Sequence, residues 1–230
     1  MLVHFDIWDP IATLSLHGHK YLLTIVEHTT RFTWLYPMKL KSETGFRVQS
    51  FVTLIQTQFH KIIKCIRTDN GPEFNLAQIF AAKEIIHHKS CVETPQQNGL
   101  VERKHQHILN ITRSLLFHSS LPQCFWNYVA ALAVHLINRI PSSLLDNKSP
   151  YYVLHDKLPD ISHLRLFGCL AFTSTNTSHR KKLDSRARKC IFLRYKRGVK
   201  CFLLCDLHNR ELFLSRHVHF YENIFPHKQS

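Results

Sequence analysis

The order of apolar patterns along the chain predicts a protein of the α/β or α+β class. Three stretches near the N-terminus have the β-branched and aromatic composition of strands: 2–8, 21–28 and 32–40. Apolar residues then recur at helical spacing across 43–60. A short apolar run at 62–68 ends at the turn sequence Asp69-Asn70-Gly71-Pro72. Strands before and after a helix, with acidic residues at strand ends, are typical of these classes.

The remaining elements follow from the same signals. Short separations among the first three strands favour an antiparallel meander, and 62–68 is predicted to be a buried strand parallel to its neighbour. Two further helices are predicted at 98–118 and 123–140, the second flanked by Pro122 and Pro141.

The last third of the chain is predicted to form a small β-rich module. After residue 162 the apolar runs are short and typical of strands: 164–172, 189–195, 199–207 and 210–220. His208-Asn209 is the predicted centre of a hairpin turn. The segment 173–189 is polar, basic and without apolar periodicity, so we expect an exposed loop there.

Composition excludes several protein classes. The 230 residues are 44% hydrophobic and 20% charged, which is typical of a globular protein and not of a disordered one. No apolar run reaches the roughly 18 residues that a spanning helix needs, so an integral membrane protein is excluded and no membrane partner is expected. The start, MLVHFDIWDP, lacks the features of a signal peptide. The 7 Cys include no Cys-x-x-Cys pair, so we expect reduced thiols in an intracellular protein.

The chain is strongly basic, and the charge is concentrated at one end. The formal net charge is +14, and residues 161–230 alone carry 14 Lys or Arg against 4 Asp or Glu. A surplus of this size indicates a polyanionic partner, nucleic acid first, although a solvated basic surface would have the same composition.

Three acidic residues are placed where they could perform chemistry. Asp6 lies within an apolar strand, Asp69 follows the strand at 62–68, and Glu102 opens a helix. Carboxylates that converge repel one another, and a divalent cation such as Mg²⁺ or Mn²⁺ relieves that repulsion. Each acid also has a structural explanation, which is an exposed strand position for Asp6, an Asx-turn for Asp69 and a first-turn helix acid for Glu102.

The sequence around these acids resembles a known family. HFDIWDP, IRTDNGPEF and ETPQQNGLVERKH resemble the three catalytic blocks of the integrase in Pol polyproteins of copia-type LTR retrotransposons, in a plant-like form. Later segments, such as HLRLFGCLAF and ELFLSRHVHFYENIFP, resemble the same family, so the resemblance covers essentially the whole chain. It implies an α/β, ribonuclease H-like fold with a mixed five-stranded sheet. We expect this catalytic core at 1–118, a helical extension at 119–160 and a basic small β module at 161–230.

The resemblance also implies an activity. Asp6, Asp69 and Glu102 fall on the family's catalytic acids, which bind Mg²⁺ or Mn²⁺, as two ions. The implied enzyme is a polynucleotidyl transferase and endonuclease that performs 3′-end processing and DNA strand transfer, in which water and then a DNA 3′-hydroxyl attack phosphorus. The implied partners are the ends of the element's cDNA, target DNA and further copies of the chain, and integration implies the nucleus. A ribonuclease H proper is disfavoured, because the PQQNG-x-x-E block belongs to integrases.

Further positions are predicted to contact nucleic acid, chiefly at phosphate. Arg103 and Lys104 have an equally good explanation in a solvated or core-edge helix turn. His105 falls on the apolar stripe of its helix and is predicted to be a core histidine. The predicted nucleic-acid contacts are Asn70, Gln96, Gln97, Asn98, Arg103, Lys104, Arg180, Lys181, Lys182, Arg186, Arg188 and Lys189.

Two departures from the family pattern support an alternative function. Asp9 stands where relatives usually have Gly, and an extra carboxylate there could disturb the metal site. Only five residues precede Asp6, so the family's zinc domain is not expected. We therefore expect a fragment of a degraded element. The alternative is a catalytically inactive, nucleic-acid-binding remnant.

Overall fold

A computed structural model describes residues 1–90, 98–174, 185–196 and 198–228. The chain divides into two compact units, Met1–Asn110 with Val134–Pro159, and Ile111–Ala133 with Asp160–Ser230. The predicted boundaries at 118 and 160 remain a prediction about independently folding domains. No helix in the described ranges is both long enough and apolar enough to cross a membrane.

The first unit contains a mixed five-stranded sheet, as predicted. Its strands are β1 (Leu2–Ile7), β2 (Tyr21–Glu27), β3 (Thr33–Met38), β4 (Cys65–Thr68) and β5 (Ile86–Lys89). They lie in the order β3-β2-β1-β4-β5. The meander β1-β2-β3 is antiparallel, whereas β4 is parallel to β1 and β5 is parallel to β4. Strand β5 was not predicted.

Helices complete the architecture. They are α1 (Thr44–Phe59), α2 (Ala77–Ala82), α3 (Gly99–Ser119), α4 (Trp126–Ile137) and α5 (Pro150–His155). The predicted helices at 43–60, 98–118 and 123–140 correspond to α1, α3 and α4. The last begins later than expected, because a 3₁₀ turn occupies Gln123–Phe125. The short helices α2 and α5 were not predicted.

The side chains of β1 point alternately to the apolar core and to the opposite face of the sheet. Val3, Phe5 and Ile7 belong to the apolar core that also contains α1 residues. Phe5 meets Phe51 of α1 edge to face, with ring centroids 5.7 Å apart. Because successive strand residues point to opposite faces, His4 and Asp6 point away from this core. One face of β1 is thus structural, and the other is available for polar chemistry.

A buried asparagine terminates the outer edge of this sheet. Asn138 follows α4, and its side-chain Nδ2 donates to the carbonyl of Thr33 at 2.8 Å. Its Oδ1 accepts from the Thr33 amide at 2.9 Å. Both Asn138 and Thr33 are buried, so the amide side chain supplies the two hydrogen bonds that a neighbouring strand would otherwise provide.

We expect Asn138→Ala to lower the free energy of unfolding by about 2–3 kcal/mol, because it leaves two buried backbone groups of Thr33 without partners. Urea denaturation monitored by tryptophan fluorescence measures the change. Gln56→Ala, at an exposed position of α1, is the control and should stay within about 0.5 kcal/mol. Equal stability of the two variants would contradict this role for Asn138.

The second unit contains an antiparallel five-stranded sheet. Its strands are β6 (Leu170–Ser174), β7 (Ala187–Tyr195), β8 (Phe202–Asp206), β9 (Leu212–Ser215) and β10 (Val218–Tyr221), in the order β10-β6-β7-β8-β9. The predicted hairpin at His208-Asn209 joins β8 to β9, where the Asp206 carboxylate accepts from the His208 amide at 2.8 Å. The predicted strand at 210–220 is two strands, β9 and β10.

The predicted exposed loop at 173–189 was wrong at both of its ends. Residues 173–174 belong to β6, and 187–189 belong to β7, where Arg188 pairs with Thr173. Residues 187–189 pair there with β6, and this cross-strand pairing overrides the polar composition. Residues 175–184 lie outside the described residues.

A glycine allows close packing ahead of β6. Gly168 has φ +75°, and a Cβ built on it would lie 2.5 Å from Cβ of Ser119. The same Cβ would lie 3.2 Å from Cδ1 of Leu121. Ser119 and Leu121 are both buried. This position therefore requires glycine for two independent reasons, its backbone conformation and the lack of space.

Candidate active site

Asp6 and Asp69 lie at the same level on neighbouring strands. In the parallel pair of β1 and β4, Leu2 is level with Cys65 and His4 with Arg67. Continuing this register by two residues places Asp69 level with Asp6. Adjacent strands are about 4.8 Å apart, so the predicted catalytic aspartates come together at the carboxyl ends of two parallel strands.

Turn chemistry holds Asp69 in place. Its Oδ1 accepts a hydrogen bond from the Gly71 amide at 3.1 Å, and Asn70 Nδ2 donates to the Ser90 carbonyl at 2.7 Å. The Asx-turn explanation of Asp69 is therefore observed, and it is compatible with a ligand role. A Cβ at Gly71 would lie 2.9 Å from the carboxyl carbon of Glu73. The lack of a side chain at Gly71 thus keeps the turn tight.

The third predicted acid, Glu102, is in the first turn of α3 and is exposed. Burial, together with the negative charges of Asp69, Glu102 and Asp9, raises the pKa of the Asp6 carboxyl to about 7. Asp69 contributes most among these charges. The acids are therefore close enough to disfavour ionisation of Asp6, and Asp9, which departs from the family pattern, adds to the effect.

The donor atoms of these three residues are of the kind that a divalent cation prefers. Asp6, Asp69 and Glu102 supply hard oxygen donors, and the raised pKa of Asp6 reflects a repulsion that a cation would relieve. The chemistry of this donor set fits Mg²⁺ or Mn²⁺. Within the described ranges, no three His, Cys, Asp or Glu side chains, these three acids included, are grouped so that they could hold a metal ion as they stand.

Sequence analysis missed Glu73, a buried carboxylate beside the Asp69 turn. Its side chain is 7% exposed and forms an ion pair with Lys41 at 2.8 Å. This hydrogen bond raises the pKa of Lys41 above its usual range. Glu73 follows Pro72 in the same turn sequence, which was the available signal. Since Lys41 neutralises it, Glu73 supports the turn.

His105 was predicted to be a core histidine, and it is largely buried, but it also contacts Asp6. Its Nδ1 lies 3.5 Å from Asp6 Oδ2. Its ring packs against Trp8 with centroids 5.1 Å apart, and Trp8 Nε1 donates to Thr24 Oγ1 at 3.0 Å. Burial lowers the pKa of His105 to about 3, so the imidazole is neutral.

The predicted nucleic-acid contacts of the first unit occupy different environments. Asn98 is buried, and its Nδ2 lies 3.5 Å from the Phe5 carbonyl, which suits a role in fixing the start of α3 against β1. Asn70 and Arg103 are exposed, as a contact with DNA requires. Lys104 is half-buried, and burial, followed by the charge of Arg31, lowers its pKa. Gln96 and Gln97 lie outside the described residues.

In the second unit, Arg186 and Lys189 are exposed, and Arg188 is engaged within the protein. Arg188 Nη1 lies 3.0 Å from Glu211 Oε2, and its guanidinium lies 5.3 Å from the ring centroid of Phe213. An arginine whose charge is already paired with a carboxylate binds phosphate less well than an arginine without such a partner. The predicted contacts Arg180, Lys181 and Lys182 lie outside the described residues.

Comparison with known proteins identifies relatives of the chain. It is 40% identical over 226 residues to the retrovirus-related Pol polyprotein from transposon RE1 of Arabidopsis thaliana, covering 97% of this chain and 15% of that protein. The corresponding protein of transposon RE2 is 36% identical, with the same coverage. That of transposon TNT 1-94 of Nicotiana tabacum is 33% identical over 96% of this chain and 17% of its own length. The chain is homologous to a segment of retrotransposon Pol polyproteins.

The predicted copia-type resemblance is therefore confirmed, and this Pol segment spans about a sixth of its relatives' length. A family model described as the retroviral polymerase SH3-like domain matches residues 169–230, which contain β6–β10. The second sheet thus lies in the part of the chain that is similar to this SH3-like domain.

Solved structures confirm the predicted fold class. A chain of the simian T-cell lymphotropic virus intasome, in complex with a PP2A regulatory subunit, matches with a TM-score of 0.54 and 15% identity, covering 93% of this chain and 74% of its own. The HTLV-2 integrase catalytic core domain, in complex with magnesium, matches with a TM-score of 0.50 and 19% identity, covering 67% and 95%. The Pol segment thus has the α/β fold of integrase catalytic cores.

Proposed function

We propose that this Pol segment carries the active site of an integrase, a metal-dependent polynucleotidyl transferase and endonuclease, formed by Asp6, Asp69 and Glu102. The observation that carries the proposal is the register of β1 and β4, which brings Asp69 level with the buried Asp6, where neighbouring negative charges disfavour ionisation of the Asp6 carboxyl. A protein does not ordinarily place acids together at strand ends without a cation or proton to offset their charge. The match to an integrase core in complex with magnesium supports the same assignment.

Asp6, Asp69 and Glu102 would hold one or two Mg²⁺ or Mn²⁺ ions. Bound there, such ions activate a water or a DNA 3′-hydroxyl and stabilise charge at phosphorus. Asp6 must release its proton before it can act as a ligand, so cation binding weakens as the pH falls below about 7. The turn at Gly71 and the strand β1 fix the two aspartates, which makes the site rigid.

The reaction would be 3′-end processing followed by strand transfer, with the ends of the element's cDNA and target DNA as substrates. The net charge of +14 supports a polyanionic substrate. The exposed residues Asn70, Arg103, Arg186 and Lys189 are the described side chains best placed to contact phosphate. The proposed enzyme works in the nucleus and as a homo-oligomer, which is supported by the likeness to a chain of an intasome.

Asp9 favours a second candidate, a nucleic-acid-binding segment without catalysis. Its negative charge contributes to raising the pKa of Asp6 to about 7, a contribution that glycine, expected there from the family resemblance, would not make. Weaker cation binding would abolish the chemistry and leave the basic surface intact.

Nicking and strand transfer by the purified chain on a labelled duplex, with Mn²⁺, test the proposal. We expect Asp69→Asn to lower the nicking rate by more than about 100-fold, because a charged ligand is lost. DNA affinity should be retained. Asp156→Asn is the matched control, since Asp156 is exposed, caps α5 and has φ +52°, which asparagine tolerates.

The outcomes separate the candidates. Nicking that persists in Asp69→Asn would overturn the assigned site. Salt-sensitive DNA binding by a wild-type protein that never nicks would favour the non-catalytic candidate.

A further inference from the structure

His105 closes a ring of contacts around Asp6. In the register of β1 and β2, Asp6 is paired with Thr24. Thr24 Oγ1 accepts from the Trp8 indole at 3.0 Å, Trp8 packs on the His105 ring at 5.1 Å, and His105 Nδ1 returns to Asp6 Oδ2 at 3.5 Å. We name these four residues the Asp6 bracket. It is mostly buried, since the side chains of His105 and Asp6 are only 17% and 15% exposed.

A histidine that only fills the core would not need this geometry. Its polar Nδ1 faces the carboxylate, whereas its Nε2 is buried and has no hydrogen-bond partner within the described part of the chain. A neutral imidazole has one N–H and one bare nitrogen. Placing the proton on Nδ1 gives it a carboxylate acceptor, but placing it on Nε2 would bury an unsatisfied donor. The favoured tautomer therefore points its N–H towards Asp6.

We propose that His105 is a positioning residue, which holds the Asp6 carboxylate by an Nδ1–H hydrogen bond in the orientation that binds the cation. The inference rests on the function proposed above. Glu102 and His105 are three residues apart on α3 and so share a side of the helix. One helix would thus supply both a ligand and the group that orients another ligand. The 3.5 Å separation is long for a hydrogen bond, and such contacts commonly shorten when the site is loaded.

Two substitutions separate positioning from packing. Phenylalanine keeps the ring against Trp8 and removes the donor, whereas asparagine loses the ring and keeps an N–H near the place of Nδ1. We expect His105→Phe to raise the Mn²⁺ concentration for half-maximal nicking about 10-fold or more. His105→Asn should raise it less than about 3-fold. If packing alone mattered, the order would be reversed, and that result would overturn the proposal.

His107→Phe is the control for the substitution itself, because His107 lies on the same helix at an exposed position. Its Mn²⁺ dependence should match the wild type. Thermal melting of all variants reports folding, and His105→Phe should melt at or near the wild-type temperature.

A second measurement does not depend on catalysis. Nitrogen-15 NMR of the histidine rings at pH 8 reports which ring nitrogen carries the proton. We expect His105 to be protonated at Nδ1 in the metal-free protein, and protonation at Nε2 would overturn the proposal even if the chain is active. A wild-type chain that shows the Nδ1 tautomer but neither binds Mn²⁺ nor nicks DNA would disprove the proposed function, while the hydrogen bond stands.

Discussion

Replacing Asp6 with asparagine is expected to stabilise the metal-free protein at pH 8 by about 2–4 kcal/mol, although it should abolish nicking. The pKa of Asp6 is raised to about 7 from an ordinary value of 3.8. Each unit of such a difference corresponds to about 1.4 kcal/mol. Asparagine has a similar shape and never ionises, so it removes the cost of a buried charge next to Asp69, Glu102 and Asp9.

The sign of this effect depends on pH. Below about pH 4, Asp6 is protonated in both the folded and the unfolded chain, and the substitution should be nearly neutral. As the pH rises from about 4 to 7, the unfolded chain ionises first, and the wild type loses stability relative to Asp6→Asn. Above about pH 7 the full difference is present.

Urea denaturation of both proteins at pH 4.5 and pH 8 measures this difference. Mg²⁺ should then stabilise the wild type at pH 8 and not the variant, because a ligand that binds only the folded state adds to its stability. A variant that is less stable than the wild type at pH 8 would show that the ionised Asp6 carboxylate does not destabilise the folded chain.

Gly168→Ala is expected to lower the free energy of unfolding by about 3–5 kcal/mol. The left-handed conformation at φ +75° costs a residue with a side chain about 1–2 kcal/mol. The new methyl group would also lie 2.5 Å from Cβ of buried Ser119. Relieving an overlap of this kind in a packed core typically costs a further 1–3 kcal/mol.

Gly198→Ala is the matched control, because Gly198 also has φ +75° but no atom of the described residues lies within 4 Å of the added Cβ. It should cost only about 1–2 kcal/mol. In the double variant Ser119→Gly with Gly168→Ala, part of the loss should be recovered, since the two side chains no longer overlap. Equal losses for the two glycine variants would mean that Ser119 moves aside freely.

Local sequence patterns predicted the longer strands and helices, because apolar residues recur in them at regular spacing. The three N-terminal strands and α1, α3 and α4 all carry that signal. Strand β5 has a single apolar residue, Ile86, and lies at the edge of its sheet, so its position is set by pairing with β4. Helices α2 and α5 are six residues long, too short for a periodic pattern.

Some residues of the candidate site were likewise predicted from local sequence patterns, and others were not. Turn chemistry and a helix start located Asp69 and Glu102, and family resemblance linked them to Asp6. The contact between His105 and Asp6 depends on how α3 packs against the sheet, which no local pattern encodes. Helical spacing correctly placed His105 on a buried stripe, but it could not show that a carboxylate faces it there. The ion pair that engages Arg188 joins β7 to Glu211, which directly precedes β9, and no local pattern predicted it.

The sheet of the first unit is also protected against unwanted association. An edge strand with free amides and carbonyls is a template on which another chain can add a strand. In β3, Asn138 occupies both backbone groups of Thr33, and Pro37 has no amide hydrogen to offer. At the opposite edge, β5 is only four residues long and carries Lys89. Both edges are therefore poor templates for the addition of a strand from another chain.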